Sequence, residues 1–340
     1  MKSSIKAISY AIPEYDLSNT KLSEQYPEWS VDKIFSKTGI EHRYIAAKDE
    51  TALDLAEQAC NNLFRDSSIA PDDVDFVLYC TQSPEFPLPT TACILQNRLS
   101  LLTTVGALDF NLGCSGYVYG LGLAKGLVET GQAKCVLLVT AETYSKYIND
   151  KDKSVRTLFG DAASASIIAS ATCGGGIDHF VYGTDGAGAN NLIVPHGGQR
   201  NPLSNDSLVE CLDDSGNIRA PSNLYMNGSE IFTFTLKSVP IALNQLYDKS
   251  GLQEKDIQHF VLHQANKFMC QQLRRALKVP VEKFRESYRH FGNTVSSTIP
   301  IGLALANEEN KFKVGDKIVV IGFGVGYSWG AALVTWDGFN

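Results

Sequence analysis

The stretch Asp109-Phe110-Asn111-Leu112-Gly113-Cys114-Ser115-Gly116 reads as a short strand, a tight turn at Gly113 and a helix opening at or just after Cys114. A helix start carries unpaired N–H groups and partial positive charge, which favour thiolate over thiol. A thiolate held there is a nucleophile for a substrate carbonyl. A buried structural cysteine is the competing reading of the same pattern. Three other places carry candidate partners. His263-Gln264-Ala265-Asn266 follows an apolar strand, and His290-Phe291-Gly292-Asn293-Thr294 precedes a Ser-rich helix start. The glycines of Gly322-Phe323-Gly324-Val325-Gly326-Tyr327-Ser328-Trp329-Gly330 let backbone N–H groups approach a ligand closely. Taken singly, each also fits a bland role: a helix-start hydrogen bonder, a turn residue, a tight hairpin. Taken together, they describe a nucleophile served by hydrogen-bond donors.

The elements that position these residues are legible in outline. Apolar runs predict strands over 3–12, 74–79, 134–140, 164–169, 259–263, 317–322 and 329–336. Leu53, Ala56, Ala59, Leu63 and Phe64 predict an amphipathic helix over 51–65. Further helices are expected at 18–37, in short pieces, and at 90–100, 227–249 and 264–278. Gly116, Gly120, Gly122 and Gly126 fall in the helix after Cys114. Each costs about 1 kcal/mol against Ala, so that helix is expected to be squeezed against interior backbones. Residues 183–222 read as loop or irregular hairpin. An internal repeat relates the two halves: Asp73 and Lys134, each before an apolar strand, recur as Asp256 and Lys317 at one offset of 183 residues. A duplicated α/β unit would set equivalent strand ends around one cleft.

Composition narrows the classes. With 44% hydrophobic and 20% charged residues the chain is ordinary globular protein. A net charge of −7 disfavours a general nucleic-acid role. The eight cysteines include no Cys-x-x-Cys pair, which weakens zinc and dithiol readings; no metal is expected. Most lie in apolar runs, as reduced core thiols of a cytoplasmic protein would. The start Met1–Lys6 lacks the apolar run of a signal peptide, and no stretch suggests a membrane span.

On six marks in register, the chain resembles the beta-ketoacyl-acyl-carrier-protein synthase III family of the thiolase superfamily. They are Lys37-Thr38-Gly39-Ile40, Gly113-Cys114-Ser115-Gly116, Leu158-Phe159-Gly160-Asp161-Ala162, His263-Gln264-Ala265-Asn266, Gly292-Asn293-Thr294 and Gly324 to Gly330. The resemblance implies an α/β fold, the duplicated thiolase-like five-layered αβαβα sandwich with two mixed sheets, usually as a homodimer. The N-terminal half, 1–175, would carry the nucleophilic cysteine, and the C-terminal half, 176–340, the His and Asn. It implies that Cys114 holds an acyl group taken from a thioester. His263 and Asn293 would donate to a malonyl thioester as it loses CO₂, and the N–H groups of Cys114 and Val325 would form the oxyanion hole. Coenzyme A and acyl-carrier thioesters would be substrates, with no bound cofactor. Lys37 and Lys153 align with coenzyme-binding arginines, Asn266 lines the substrate passage, and Leu88 aligns with a residue that floors the partner's acyl pocket. The tryptophan that stacks adenine in the family is Lys33 here, with Trp29 four residues earlier able to substitute only if the loop is rearranged. These departures weaken acetyl-CoA as donor, though not thioesters in general, and Leu88 hints at a longer or bulkier acyl group.

Between His263 and His290 stand seven basic residues against two acidic ones. Lys267, Arg274 and Lys278 are expected on one helical face, with Arg275 beside them, as a docking surface for an acidic acyl carrier protein; a solvated face is the plain alternative. Decarboxylative condensation is favoured because plain acyl transfer needs no paired enolate donors. The alternative is a non-condensing acyltransferase of the same fold acting on an amine or hydroxyl. A non-catalytic carrier-binding subunit and a papain-like hydrolase fit less well.

Overall fold

The computed structural model describes residues 2–172 and 174–339; Cys173, counted above among the cysteines, lies outside them. In chain order the strands are β1 (Ser3–Ala11), β2 (Tyr15–Asp16), β3 (Tyr44–Ile45), β4 (Phe76–Cys80), β5 (Gly106–Phe110), β6 (Cys135–Glu142) and β7 (Ala162–Ser170). They continue with β8 (Gly176–Thr184), β9 (Leu192–Ile193), β10 (Cys211–Leu212), β11 (Ile218–Arg219), β12 (Tyr225–Met226), β13 (His259–Leu262), β14 (Lys317–Gly324) and β15 (Ser328–Thr335). The helices are α1 (Asn19–Gln25), α2 (Val31–Thr38), α3 (Ala52–Asp66), α4 (Thr91–Arg98) and α5 (Gly116–Glu129). After them come α6 (Lys153–Arg156), α7 (Gly228–Ser250), α8 (Lys267–Ala276), α9 (Tyr288–Phe291) and α10 (Thr298–Glu308).

Two mixed sheets organise the chain. The first runs β1-β7-β6-β4-β5 and the second β8-β15-β14-β13. In the first, β6–β4 and β4–β5 are parallel and β1–β7 and β7–β6 antiparallel; in the second, the end pair β13–β14 is parallel and β14–β15 and β15–β8 antiparallel. The repeat has a physical basis. Asp73 accepts from the Ala70 N–H at 2.8 Å and Asp256 from the Gln253 N–H at 2.9 Å, so each closes a 3₁₀ turn before its strand. Asp75 accepts from the Lys134 N–H at 2.7 Å, and Gln258 from the Lys317 N–H at 2.8 Å, so each fixes the register of a parallel pair. The halves differ at one edge. The first sheet carries β5, whereas beside β13 there is a single bridge, Phe260 to Phe284.

Helices fill the remaining layers. α3 is started by a capping box between Thr51 and Asp54, and it buries Leu53, Ala56, Ala59, Cys60 and Leu63 against β1, β6 and β7. α5 and α10 lie between the sheets, where Leu121, Ala124, Ile299 and Leu303 share a core with Val136, Leu138, Val320 and Ala332. α7 and α8 cover the outer face of the second sheet. The result is the α-β-α-β-α stack expected above. A Cβ at Gly116 would come within 2.2 Å of Cys80 Sγ, and one at Gly120 within 2.5 Å of Leu138. Gly126 has open space instead, so the squeeze holds for the first part of α5 only. Cys93 and Cys211 are exposed, while Cys60, Cys80, Cys114, Cys135 and Cys270 are buried thiols. Residues 183–222 hold the end of β8, 3₁₀ turns, the β10–β11 ladder and β9, whose partner β12 follows at Tyr225–Met226.

Candidate active site

Cys114 sits two residues before α5, in a turn closed by the Gly116 N–H on the Gly113 carbonyl at 2.8 Å. β14 of the second sheet runs directly against this turn. A Cβ on Gly324 would come within 2.9 Å of Cys114 Sγ, and one on Gly322 within 2.7 Å of the Cys114 carbonyl oxygen. Glycine at both places is therefore what lets the halves meet at the thiol. Cys114 is buried, 4% exposed. Burial pushes the thiol up to about 12, with the nearby Glu142 carboxylate adding to the rise. The backbone N–H groups of Cys114 and Val325 hydrogen-bond the sulfur and pull the other way without reversing it. The expected thiolate is thus corrected: desolvation outweighs the helix start, and the resting group is a thiol.

His263 follows β13 directly, and its N–H continues the ladder to the Ile321 carbonyl at 2.8 Å. Its Nδ1 lies 2.8 Å from Thr298 Oγ1, and its ring meets Phe323 edge-on at 5.2 Å. Burial lowers its pKa to about 3, so the imidazole is neutral. Asn293 is locked by its backbone, donating to the Leu158 carbonyl at 2.9 Å and accepting from the Gly160 N–H at 3.0 Å. Its Oδ1 accepts from the Val295 N–H at 2.9 Å. That bond assigns the amide orientation and leaves Nδ2 as donor toward the cavity. Val295 holds a φ of 54°, a costly conformation for a β-branched residue. Cys114, His263 and Asn293 line one cavity of about 70 Å³, together with Asn266, Phe323 and Met269. Asn266 also caps α8 by accepting from the Met269 N–H at 2.9 Å.

A second cavity, of about 560 Å³, opens beyond Leu192 and Val325. Gln82, Asn111, Tyr144, Tyr147, Val194, His196 and Leu224 form much of its wall. Gln82 and Glu142 were not singled out by the sequence reading. Glu142 ends the apolar run of β6, fully buried, and accepts from the Gln82 N–H at 3.0 Å, Ser83 Oγ at 3.2 Å and Ser296 Oγ at 2.9 Å. Burial pushes it up to about 8 despite these donors. A carboxylate inside an apolar strand was the one available signal.

The remaining expected site residues lie elsewhere. Lys37, Lys33 and Lys153 all gather around the Trp29 ring, at 5.2, 5.4 and 6.0 Å from its centre, and Lys153 pairs with Glu28 at 2.5 Å. Trp29 thus supplies an aromatic ring among the three lysines, four residues before Lys33. Leu88 is 82% exposed and touches neither cavity of its own chain. The expected helical face is corrected: α8 ends at Ala276, and Lys278 lies past it at φ 56°. Arg274 bonds the Val279 carbonyl at 3.0 Å, Lys267 lies against α2 with its Nζ 5.6 Å from the Phe35 ring, and Arg275 is exposed. Among the described residues no helix is long and apolar enough to cross a membrane.

Two duplicated halves meeting at a buried Cys, His and Asn define a thiolase-like α/β enzyme. Residues 108–186 match the family model described as 3-oxoacyl-[acyl-carrier-protein] synthase III, and residues 247–336 match that for its C-terminal part. A beta-ketoacyl-[acyl-carrier-protein] synthase III of Caldanaerobacter subterraneus subsp. tengcongensis is 34% identical over 96% of this chain and 95% of its own. A crystal structure of a 3-oxoacyl-(acyl-carrier-protein) synthase III shares 51% identity and a TM-score of 0.96, covering 99% of this chain and all of that one. The 3-oxoacyl-(acyl-carrier protein) synthase of Burkholderia xenovorans LB400 gives 32% identity and a TM-score of 0.91, over 100% of this chain and 95% of the other. The chain belongs to the beta-ketoacyl-acyl-carrier-protein synthase III family, the acyl-transferring condensing enzymes of fatty-acid biosynthesis.

Proposed function

We propose that Cys114 takes an acyl group from a thioester and passes it to the carbanion left when a malonyl-carrier thioester loses CO₂. The observation that carries this reading is the placement of Cys114, His263 and Asn293 on one small cavity, with two backbone N–H groups already on the sulfur. In loading, the thiol proton leaves as sulfur attacks the thioester carbonyl, and the departing thiolate takes up a proton. The N–H groups of Cys114 and Val325 hold the oxyanion of the tetrahedral intermediate. In condensation, Asn293 Nδ2 and His263 Nε2 donate to the malonyl thioester oxygen as CO₂ departs. The resulting carbanion attacks the acyl carbonyl, and the Cys114 sulfur leaves. A neutral His263 donates from Nε2 only when Nδ1 accepts, and Thr298 Oγ1 is placed to donate to it. The same hydroxyl also lies 3.1 Å from the Val295 carbonyl, and it can serve only one acceptor at a time.

Trp29 with Lys33, Lys37 and Lys153 would receive the adenine and phosphates of acyl-CoA, the lysines acting as point charges. Arg275 and Lys278, with Lys267 and Arg274 nearer the fold, would meet the acidic carrier protein. The exposed Leu88 and the open edge of β5, with Leu108 45% exposed, fit a homodimer in which Leu88 reaches the partner's acyl site.

Intact-mass measurement tests the assignment. Wild type should gain one acyl group, lost in Cys114→Ala. His263→Ala and Asn293→Ala should still load but release CO₂ from malonyl carrier protein about 100-fold more slowly. Normal decarboxylation in both variants would refute the paired-donor role.

A further inference from the structure

The large cavity beyond Val325 has a polar wall that a plain hydrocarbon chain does not use. Gln82 is held at every polar group: its N–H on Glu142, its carbonyl under Tyr147 Oη at 2.9 Å, its Oε1 by Tyr144 Oη, and its Nε2 on Asn111 Oδ1 at 3.0 Å. This clamp turns Asn111 so that Oδ1 is spent on Gln82 and Nδ2 remains to donate. His196, on the same wall, has a buried Nδ1 without a hydrogen-bond partner among the described residues. A buried polar atom left unpaired is costly, and an alkyl ligand that closes over it leaves that cost in place. An oxygen substituent on the ligand relieves it, accepting from Asn111 Nδ2 and meeting His196 Nδ1.

We propose that this cavity selects an acyl group bearing a hydrogen-bonding oxygen along its chain, held by His196 and Asn111, over the unsubstituted alkyl chain of equal length. The inference rests on the reading of Cys114 as the acyl carrier. Its apolar neighbours, Leu192, Val194 and Leu224, would cover the methylenes between the thioester and that oxygen. Specificity of this kind is read more sharply than chain length, because a missing hydrogen bond costs more than a missing methylene.

The test uses matched pairs of CoA thioesters, a ladder of straight-chain acyl groups and the same chains with a terminal hydroxyl. Loading of Cys114 is followed by intact mass over time. At the best chain length the hydroxylated member should load about tenfold faster. His196→Phe should abolish that preference. Asn111→Leu, at an exposed position on the rim, should reduce it and serves as the second variant should His196→Phe fail to fold. Loading without preference, or faster loading of every alkyl member, overturns the proposal while leaving Cys114 as the carrier. Absence of any Cys114 adduct across the whole panel overturns both.

Discussion

Thr298 stands behind His263 and Glu142 near Cys114, and each makes the proposed chemistry testable at a group behind the three site residues. Thr298→Val removes the hydroxyl that the proposed mechanism uses as donor to His263 Nδ1; loading should persist while CO₂ release falls about tenfold, and Thr298→Ser should restore it. Equal loss in both variants would mean that Thr298 only fills space. Glu142 acts on the thiol through its charge. Its pKa of about 8 keeps it largely neutral below that pH, and ionisation above it opposes a second negative charge on Cys114. Alkylation of Cys114 by iodoacetamide, followed on its own peptide because Cys93 and Cys211 are exposed, should rise by about tenfold per pH unit below pH 8. It should flatten as Glu142 ionises. Glu142→Gln should keep the steeper rise above pH 8, and identical profiles would sink the coupling. Cys114 and His263 were legible as candidates because each stands where a strand gives way to a helix, and Asn293, in the loop after α9, only together with them and the Gly292-Asn293-Thr294 mark of the resemblance. The protonation state of the thiol was not, since desolvation is a property of the assembled interior.

At the scale of elements, the strands that face the core on both sides were legible as apolar runs, as were the amphipathic α3 and α8. Of the larger elements β8 was not, and of α10 only the Ser-rich start was. β8 is an edge strand with polar and glycine positions along Gly176–Thr184, half open to solvent, and shows no continuous apolar run. α10 is apolar on almost every side because it is sandwiched between the sheets, so it has no polar face to reveal a period. Its Pro300 lies in the first turn, where the missing N–H has no intrahelical acceptor to lose. The contact of β14 with the Cys114 turn makes a sharper prediction. Gly322→Ala sets a methyl 2.7 Å from backbone atoms of Cys114 and Ser115, which no side-chain rotation relieves. The unfolding midpoint in urea should shift by an amount equivalent to about 1–3 kcal/mol. An unchanged midpoint would mean that the halves part readily there.

For the whole molecule, the 183-residue repeat was readable because the capping Asp73 and Asp256, and the register-setting Asp75 and Gln258, do the same work twice. The large second cavity could not be read, because its wall is drawn from segments far apart in the chain, from Gln82 to Val325. The proposed dimer is checked by sedimentation: wild type should run as a pair of chains, and Leu108→Lys on the β5 edge as a single one. A wild-type monomer would refute the pairing. The difference between the two sheets then sets a limit on growth. The edge beside β13 is already stopped by the Phe260–Phe284 bridge, with the Arg285 N–H on the Phe260 carbonyl at 3.0 Å. Duplication alone would have given each molecule two matching sticky sides, a design that polymerises. With the β13 edge blunted, the proposed pairing through β5 would be complete at two copies and would not be continued through the equivalent edge of the second sheet.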